Sequence, residues 1–365
     1  MKINCRQFSI IIFYLLVSLK FLALPSLVYL DCEMDSWLVF VLMAIIDIGL
    51  IWVIIYLLKS SDEKNFYEFL KNRMGLVVAK IICIAFLSLF MLDIVTGITA
   101  IYRLLVENFY TELDWYIFLI PLLIIISFVT YKGLRNIGRV CEVFVWFAII
   151  GLIFVVTKSM VQFEFTFFLP SMTKGIMPVF KSLIKHATWY GSPIVLLFMF
   201  GEVNLKNMNK NVIWRYILIA VAEVLFLITV FYGVFKSTAG LHSFALTDLS
   251  QVASSASAFD EISWFAVSLW VIVQILQLTI FFYGATSAFR YIFNVKNSWL
   301  PIFLLELVLV IFFYVDSQSI HLDDYFDKPM VVVWELSIKY GVLLLIVIAN
   351  IIYLKVKRRK KNAKT

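Results

Sequence analysis

The chain has 365 residues, of which 63% are hydrophobic and only 15% charged; its net charge is +7 and its mean hydropathy +0.96. Soluble domains contain about 45–50% apolar and about 25% charged residues, so this composition excludes a soluble globular protein and indicates an integral membrane protein. The three scattered histidines have no metal-binding spacing, and there is no phosphate-binding loop or nucleophile elbow. We therefore expect no enzyme, no cofactor, no metal and no nucleic-acid partner.

Ten apolar runs are long enough to cross about 30 Å of hydrocarbon. We expect one polytopic membrane domain over residues 1–365, with spans at 8–30, 37–58, 76–106, 115–132, 138–159, 183–203, 213–236, 262–289, 299–316 and 334–354. The third and eighth runs are longer than a perpendicular span needs, which predicts that these helices tilt or protrude. The first run is interpreted as an uncleaved helix rather than a signal peptide, because Lys20 interrupts it.

The distribution of basic residues predicts the orientation in the membrane. Most of the 31 lysines and arginines fall in the N-terminal segment, in alternate loops and in the tail 355–365, whereas the other loops are poor in positive charge. Because positive loops stay on the cytoplasmic side, both termini are predicted to be cytoplasmic. The basic cytoplasmic tail is interpreted as a topology anchor, with binding of anionic lipid as the alternative.

Five ionisable residues lie near the middle of predicted spans, where a charge facing lipid costs roughly 2.5–3.5 kcal/mol. They are Lys20, Asp47, Asp93, Glu223 and Glu306. Facing hydrocarbon they would together cost on the order of 15 kcal/mol, so we expect them to line a polar cavity inside a helical bundle. Lys20, Asp47, Glu223 and Glu306 are also candidates for a proton or charge relay.

Ten spans divide into halves of five, approximately residues 8–159 and 183–354, and such halves must have opposite orientations. Transporters with this arrangement break the first helix of each half and bind substrate there. Pro25 in span 1, and Gly191 and Pro193 in span 6, are the expected signals. The chain is therefore predicted to be all-α, with a 5+5 inverted repeat and broken helices 1 and 6. A simple kink in span 6 is the alternative.

The candidate substrate-binding residues are polar, small or aromatic residues of spans 1, 3, 6 and 8. They are Ser18, Lys20, Ala23, Asp93, Thr96, Gly97, Trp189, Tyr190, Gly191, Ser192, Gln274 and Gln277. An unwound turn at 189–192 would present backbone N–H groups to an anionic group of a ligand. Asp93, Thr96 and Gly97 share a helical face that suits a ligand amine or a close helix contact. The two glutamines suit a ligand or interhelical hydrogen bonds.

Lys20 has two interpretations. It is either a cation or proton-coupling group that lines the cavity, or a structural partner of a mid-membrane acid, for which Asp93 is the first candidate from depth alone. Glu335 and Lys339 are spaced i, i+4 at the outer end of span 10 and are interpreted as a structural pair.

Two features at the outer face leave alternatives open. His186 is either a hydrogen-bonded residue or a pH switch. The segment 237–261 is rich in small residues and lacks basic ones. It is long for a connection, which predicts a lid, a contact with a partner or local helix, with a flexible loop as the alternative.

Several short motifs occur in a particular order along the chain. They are Leu24-Pro25; Asp35-Ser36-Trp37; Lys132-Gly133-Leu134-Arg135-Asn136-Ile137-Gly138-Arg139 followed by Glu142; Phe168-Leu169-Pro170 followed by Gly175 and Pro178; and Phe259-Asp260. In this order and spacing the chain resembles the spore germination permease family, the GerAB/GerKB-type B subunits of germinant receptors. That family lies within the amino acid–polyamine–organocation transporter superfamily. The chain departs from the family in having Lys20 where a small residue is usual.

The resemblance implies a LeuT-like fold and a receptor subunit that binds a small nutrient, often an amino acid, at mid-membrane and signals germination. It also implies a location in the spore inner membrane or cell membrane, beside an A-type membrane subunit and a C-type lipoprotein subunit. One alternative is an active, proton-coupled amino-acid permease. Another is a ligand-blind scaffold or ion-conducting subunit, and the number of polar mid-span residues argues against a simple scaffold.

Overall fold

The computed structural model describes residues 2–17, 19–60, 63–108, 112–165, 172, 174–204, 209–255, 262–320 and 328–362. Within these ranges the chain is helical apart from turns and one isolated parallel bridge between Ile3 and Val203. The α-helices are α1 (Cys5–Val17), α2 (Leu24–Cys32), α3 (Ser36–Lys59), α4 (Phe66–Met74), α5 (Leu76–Asn108), α6 (Trp115–Tyr131), α7 (Leu134–Ser159), α8 (Met177–Lys185), α9 (Lys210–Phe235), α10 (Ala245–Ser255), α11 (Ile262–Phe293), α12 (Trp299–Val315), α13 (Pro329–Leu336) and α14 (Leu343–Asn362). Ser18, Phe168-Leu169-Pro170 and Phe259-Asp260 lie outside the described residues.

Among the described residues, seven helical segments are long and apolar enough to cross a membrane. They are Leu24–Lys59, Leu76–Asn108, Leu134–Gln162, Lys210–Leu241, Ile262–Phe293, Trp299–Gln318 and Pro329–Lys357. Three shorter apolar segments are Cys5–Val17, Trp115–Tyr131 and Ala187–Met199. The first and last of these are short because each belongs to an interrupted helix. The multi-pass membrane architecture follows from these segments, while ten crossings and the inverted repeat stay predictions.

The first interrupted helix follows from its sequence. α1 ends at Val17, a 3₁₀ turn covers Leu19–Phe21, and α2 begins at Leu24 with Pro25 in its first turn. Proline has no N–H and a fixed φ, so it fits the start of a helix but not its interior. Residues 19–23, called the first break below, therefore separate two half-helices, which confirms the predicted interruption.

The second interrupted helix is longer and more irregular. α8 ends at Lys185, a 3₁₀ turn covers Ala187–Trp189, and a 3₁₀ helix runs from Ser192 to Met199. Gly191 joins the two with φ +90°, a left-handed conformation that favours glycine. Eight residues of 3₁₀ helix exceed the usual three or four. The interruption predicted at Gly191 and Pro193 is confirmed, and it covers residues 186–191, called the second break.

Small residues let the central helices approach each other closely. α5 packs along α11, and α1 packs along α9. A methyl group at Gly97 of α5 would lie 2.7 Å from Leu278 Cδ2 of α11, so a larger residue here would displace the Leu278 side chain. In α1 the run Gln7–Val17 is buried on every side. A helix that is apolar and buried all round lies at the centre of a bundle.

One end of the bundle carries the described chain ends and is closed by backbone pairing and aromatic rings. The Ile3 N–H donates to Glu202 O at 2.8 Å, and the Asn204 N–H donates to Ile3 O at 3.1 Å. Arg73, next to the α4–α5 turn, donates to Asn350 of α14 at 2.8 Å. A cluster of aromatic rings packs beside these contacts; it consists of Phe66, Phe69, Phe86, Phe90, Phe198 and Phe200. We call this the terminal end.

Gly201 provides a test of the packing at the terminal end. It has φ +78°, and a Cβ there would lie 1.8 Å from the Lys64 carbonyl oxygen. Gly201→Ala is expected to lower the free energy of unfolding by at least about 1–3 kcal/mol, measured as a lower thermal midpoint of the purified protein. Gly49→Ala is the control, because Gly49 is helical with no atom within 4 Å of the added methyl. Equal midpoints for the two variants would contradict the packing described here.

Candidate functional site

A cavity of about 490 Å³ lies at the end of the bundle opposite the terminal end. It is bounded by the first break, α2, α5, Trp189 of the second break and residues 240–244. Its polar lining residues are Ser26, Thr96, Thr99, Arg103, Glu107, His242 and Ser243. Its apolar lining includes Leu22, Ala23, Leu27, Leu30, Ala100, Trp189, Leu241 and Phe244. Both helix breaks therefore contribute to one cavity of the size typical of small-molecule sites.

α5 contributes a continuous stripe of side chains to the cavity. Thr96, Thr99, Arg103 and Glu107 follow one another at spacings of three or four residues, which places them on one helical face. The Thr96 hydroxyl donates back to Leu92 O at 3.1 Å. The Thr99 hydroxyl is buried and has no hydrogen-bond partner among the described residues.

Residues 236–255 cover the cavity. A 3₁₀ helix, Lys236–Leu241, and α10 replace the long connection, which confirms local helix among the predicted alternatives; 256–261 lie outside the described residues. The Ala245 N–H donates to Leu22 O at 3.3 Å, and the Ser26 hydroxyl donates to His242 O. His242 Nδ1 lies 3.3 Å from Asp248, whose pKa is raised by burial. The segment is thus held to the first break and to the first turn of α2.

Lys20, Asp47 and Gly191 form a buried contact between the two breaks. Lys20 Nζ lies 2.5 Å from Asp47 Oδ2, and Asp47 Oδ1 accepts the Gly191 N–H at 2.8 Å. Asp47 is in the middle of α3 and is 1% exposed. One carboxylate thus neutralises the lysine of the first break and satisfies a backbone donor of the second. The two breaks are joined through α3.

The expected pairing of Lys20 with Asp93 is wrong, because Asp47 is its partner. The expectation used depth in the membrane alone, and depth does not tell which helices are neighbours. Asp93 instead lies 3.8 Å from Lys339 Nζ, and its Oδ2 has no hydrogen-bond partner among the described residues. Two lysines and three acids therefore form one buried charge cluster, which consists of Lys20, Asp47, Asp93, Glu335 and Lys339.

Glu335 and Lys339 form the predicted ion pair, but its predicted location at the outer end of span 10 is wrong. Both side chains are buried, and Lys339 Nζ also donates to the carbonyl oxygens of Thr188 and Tyr190 at 3.0 and 3.3 Å. The helix begins at Pro329, five residues before the predicted start at 334, which places Lys339 well inside the bundle. It lies in a π-helical turn, Ser337–Val342, a distortion that often accompanies functional sites.

The remaining candidate residues lie around the cavity and the cluster. Ala23, Thr96 and Trp189 line the cavity, and Tyr190 and Ser192 are buried beside Gly191. The other candidates do not line the cavity. Gly97 packs against Gln274 and Leu278. Gln277 is buried on α11, Glu223 is buried on α9, and Glu306 is half-buried with a hydrogen bond to Ser127. Ser18 lies outside the described residues.

His186 is buried and hydrogen-bonded near the cavity end of the bundle. Its Nε2 lies 2.8 Å from Asp31 Oδ2, and Lys185 Nζ lies 2.7 Å from Asp31 Oδ1. Ser182 of α8 also donates to Asp31, at 3.2 Å. Asp31 is on α2, so these contacts hold the second half of the first interrupted helix to the helix before the second break.

Thr99, Arg103, Glu107 and Ser26 line the cavity but were not predicted as site residues. The sequence contained the signal for three of them, because their spacing of three to four residues continues the face of Asp93 and Thr96. Arg103 and Glu107 are close to the end of α5, where charged residues are common for reasons of solvation alone. Residues 240–244 belong to the segment 237–261, for which a lid was one of the predicted alternatives, but the sequence did not show which cavity they would reach.

The Lys20–Asp47 pair predicts a specific pattern in a double-mutant cycle. Lys20→Met leaves Asp47 as an uncompensated buried charge, and we expect a loss of about 3–5 kcal/mol in the free energy of unfolding. Adding Asp47→Asn removes the second charge and keeps an acceptor for the Gly191 N–H, so the double variant should be close to wild type. Thermal midpoints of the purified proteins measure the pattern. A Lys20→Met protein as stable as wild type would contradict the pairing.

Solved structures of two transporters share this fold. A Na⁺-coupled sialic acid symporter in a substrate-bound outward-open state matches with a TM-score of 0.62 and 12% identity, over 94% of this chain and 79% of that chain. A mutant of the Eremococcus coleocola manganese transporter matches with a TM-score of 0.59 and 11% identity, over 94% of this chain and 76% of that chain. At these identities the likeness shows the transporter fold alone.

A search of curated protein sequences returns no significant match. A sequence profile of the family described as spore germination protein matches residues 2–320, which is most of the chain. The profile confirms the resemblance carried by the motifs of the sequence, and the fold agrees with a membrane permease. The chain belongs to the spore germination protein family of permeases.

Proposed function

We propose that this protein is the transporter-fold membrane subunit of a spore nutrient-germinant receptor, and that it binds an amino acid in the 490 Å³ cavity. The observation that carries the proposal is the position of this cavity. It touches both helix breaks, at Ala23 and Trp189, and it lies one helical turn from Asp93 of the buried charge cluster. A ligand there contacts the segments that broken-helix transporters use for substrate.

The charge of the cluster favours a ligand with a cationic amine. Its three carboxyl groups face two ammonium groups, so one carboxyl group must either take a proton or bind a further cation, because a buried uncompensated charge is costly. Asp93 has an oxygen without a partner among the described residues and lies one turn from Thr96 at the cavity. A ligand ammonium held towards Asp93 supplies the charge. Arg103, near the outer end of the cavity, attracts the carboxylate during entry.

Signalling follows from the contacts between the cavity and the two breaks. A ligand that moves Trp189 also moves Gly191, whose N–H is bound to Asp47, and through Asp47 it acts on Lys20 of the first break. Residues 240–244 are bonded to Ser26 of α2, just after the first break, and lie against the same ligand. The ligand thus shifts the equilibrium between two arrangements of the connected helix breaks. Such a shift is what a receptor requires.

The cellular setting is part of the same proposal. The chain crosses the membrane ten times as an inverted 5+5 repeat. Both termini lie in the cytoplasm, because the basic residues cluster in the terminal segments and in the loops on the same side. It resides in the inner membrane of a spore or in the cell membrane, and it acts with an A-type membrane subunit and a C-type lipoprotein subunit. The cavity then opens to the outer side, where a germinant arrives.

A proton-coupled amino-acid permease is the second candidate function, and the shared fold with two transporters supports it. Uptake of labelled amino acids by the purified chain in proteoliposomes, with and without a pH gradient, separates the two. A receptor subunit should be stabilised by an amino acid without net flux, whereas saturable, gradient-dependent uptake would identify a permease. Absence of both stabilisation and flux would favour the ligand-blind scaffold or ion-conducting subunit.

Two buried threonines provide a matched test of the cavity as the ligand site. Thr99 and Thr130 both have hydroxyls without hydrogen-bond partners among the described residues, but only Thr99 lines the cavity. Valine has the shape of threonine without the hydroxyl. Thr99→Val is expected to weaken amino-acid binding about tenfold, because a hydrogen bond to the ligand contributes about 1–1.5 kcal/mol.

Binding is measured by thermal stabilisation with the common amino acids, followed by titration with the active one, and by germination of spores that carry each variant. Thr130→Val should bind and germinate as wild type does. Equal affinities for all three proteins would exclude the cavity at Thr99 as the binding site. Equal losses in both variants would mean that general destabilisation is responsible.

A further inference from the structure

The ammonium group of Lys339 lies in a cage of oxygen atoms. It donates to the carbonyl oxygens of Thr188 at 3.0 Å and Tyr190 at 3.3 Å, and it is bonded to the Glu335 carboxylate. Asp93 Oδ1 lies 3.8 Å away. The lysine side chain is completely buried. Two backbone carbonyls of the second break and two carboxylates thus surround one cationic nitrogen.

This set of ligands is the kind that binds a free cation. Hard cations take carboxylate and backbone carbonyl oxygens, and in broken-helix transporters the unwound carbonyls coordinate the coupling ion. In this chain the positive charge is covalently attached to the π-helical turn between α13 and α14. Without this ammonium group the buried carbonyl oxygens of Thr188 and Tyr190 would lose a hydrogen-bond donor, which costs free energy in a low-dielectric interior.

Gly191 shows that the second break is shaped around the lysine stem. A methyl group at Gly191 would lie 3.1 Å from Lys339 Cδ and 2.9 Å from the Tyr340 hydroxyl. The break therefore approaches the stem closely as well as the charge. Asp93 is a second observation that points to a cation site. The residue is 8% exposed, and its Oδ2 has no hydrogen-bond partner among the described residues. The cage has capacity for positive charge beyond that of the lysine.

We propose that Lys339 is a tethered cation that occupies a monovalent-cation site built by Thr188 O, Tyr190 O, Glu335 and Asp93, and that it holds the second break in place of a free ion. The site takes an ammonium or alkylammonium group. When the tether is removed, a free cation of this class enters the cage and restores the contacts between α13–α14 and the second break.

Chemical rescue of Lys339→Ala tests the proposal on the ligand-free protein, so its result is separate from that of germinant binding. The substitution removes three methylenes and the ammonium, which is the structure of n-propylammonium. In choline chloride, whose cation is too bulky for the cage, the thermal midpoint of the variant should fall by about 5 °C or more. In n-propylammonium chloride at the same ionic strength, the thermal midpoint of the variant should recover at least half of this loss. The change in the midpoint of wild type between the two salts gives the nonspecific effect.

The control is the double variant Lys339→Met, Glu335→Gln, which removes one charge of each sign and fills the space of the stem. It should fold and should respond to n-propylammonium no more than wild type. A rise for Lys339→Ala no larger than that of wild type would overturn the proposal. So would failure to obtain folded Lys339→Ala in n-propylammonium while the double variant folds, because the filled cage should be stable. Rescue of the double variant to the same extent would also overturn it.

Discussion

The Asp47 carboxylate in the middle of α3 makes the two contacts on which the arrangement of the helix breaks depends. One of its oxygens neutralises Lys20 and the other accepts the Gly191 N–H. In a membrane interior neither a lone charge nor a free backbone donor is tolerated cheaply, since water is not there to satisfy it. The two interrupted helices are distant in sequence, and a single side chain satisfies both interruptions. Their relative position is therefore fixed by electrostatics as well as by packing.

The second break is satisfied from two opposite sides, and the signs of the groups follow the polarity of its backbone. Its N–H at Gly191 meets a carboxylate, while its carbonyls at Thr188 and Tyr190 meet the Lys339 ammonium. An unwound segment exposes both donors and acceptors, so it needs partners of both signs. In a regular helix the backbone hydrogen bonds supply these partners. At this break Asp47 and Lys339 supply them instead, so the segment beside the cavity need not be helical.

Sequence reasoning identified the breaks because proline and glycine act locally, and their effect on the backbone does not depend on neighbours. It identified Lys20 and Asp47 as buried charges because apolar runs define depth. It did not identify their pairing, since the azimuth of a side chain depends on which helices pack together. The apolar run predicts a helix that begins at 334, which puts Lys339 near the outer end of its span. The helix in fact begins at Pro329. Thr99 was missed although its spacing from Thr96 was visible.

The difference between a receptor and a transporter on this fold lies at the terminal end. For a ligand to leave there, the pairing of Ile3 with Glu202 and Asn204 must open, and Arg6 must separate from Glu142, 3.1 Å away on α7. The Tyr283 hydroxyl, which donates to Glu202 at 2.6 Å, adds a further contact. A receptor needs none of these to break. On the proposed function, movement at the cavity would reach Lys20 through Gly191 and Asp47, and from there it would change the position of α1 relative to α9. Coupling of this kind would transmit a signal across the bundle without opening a path through it.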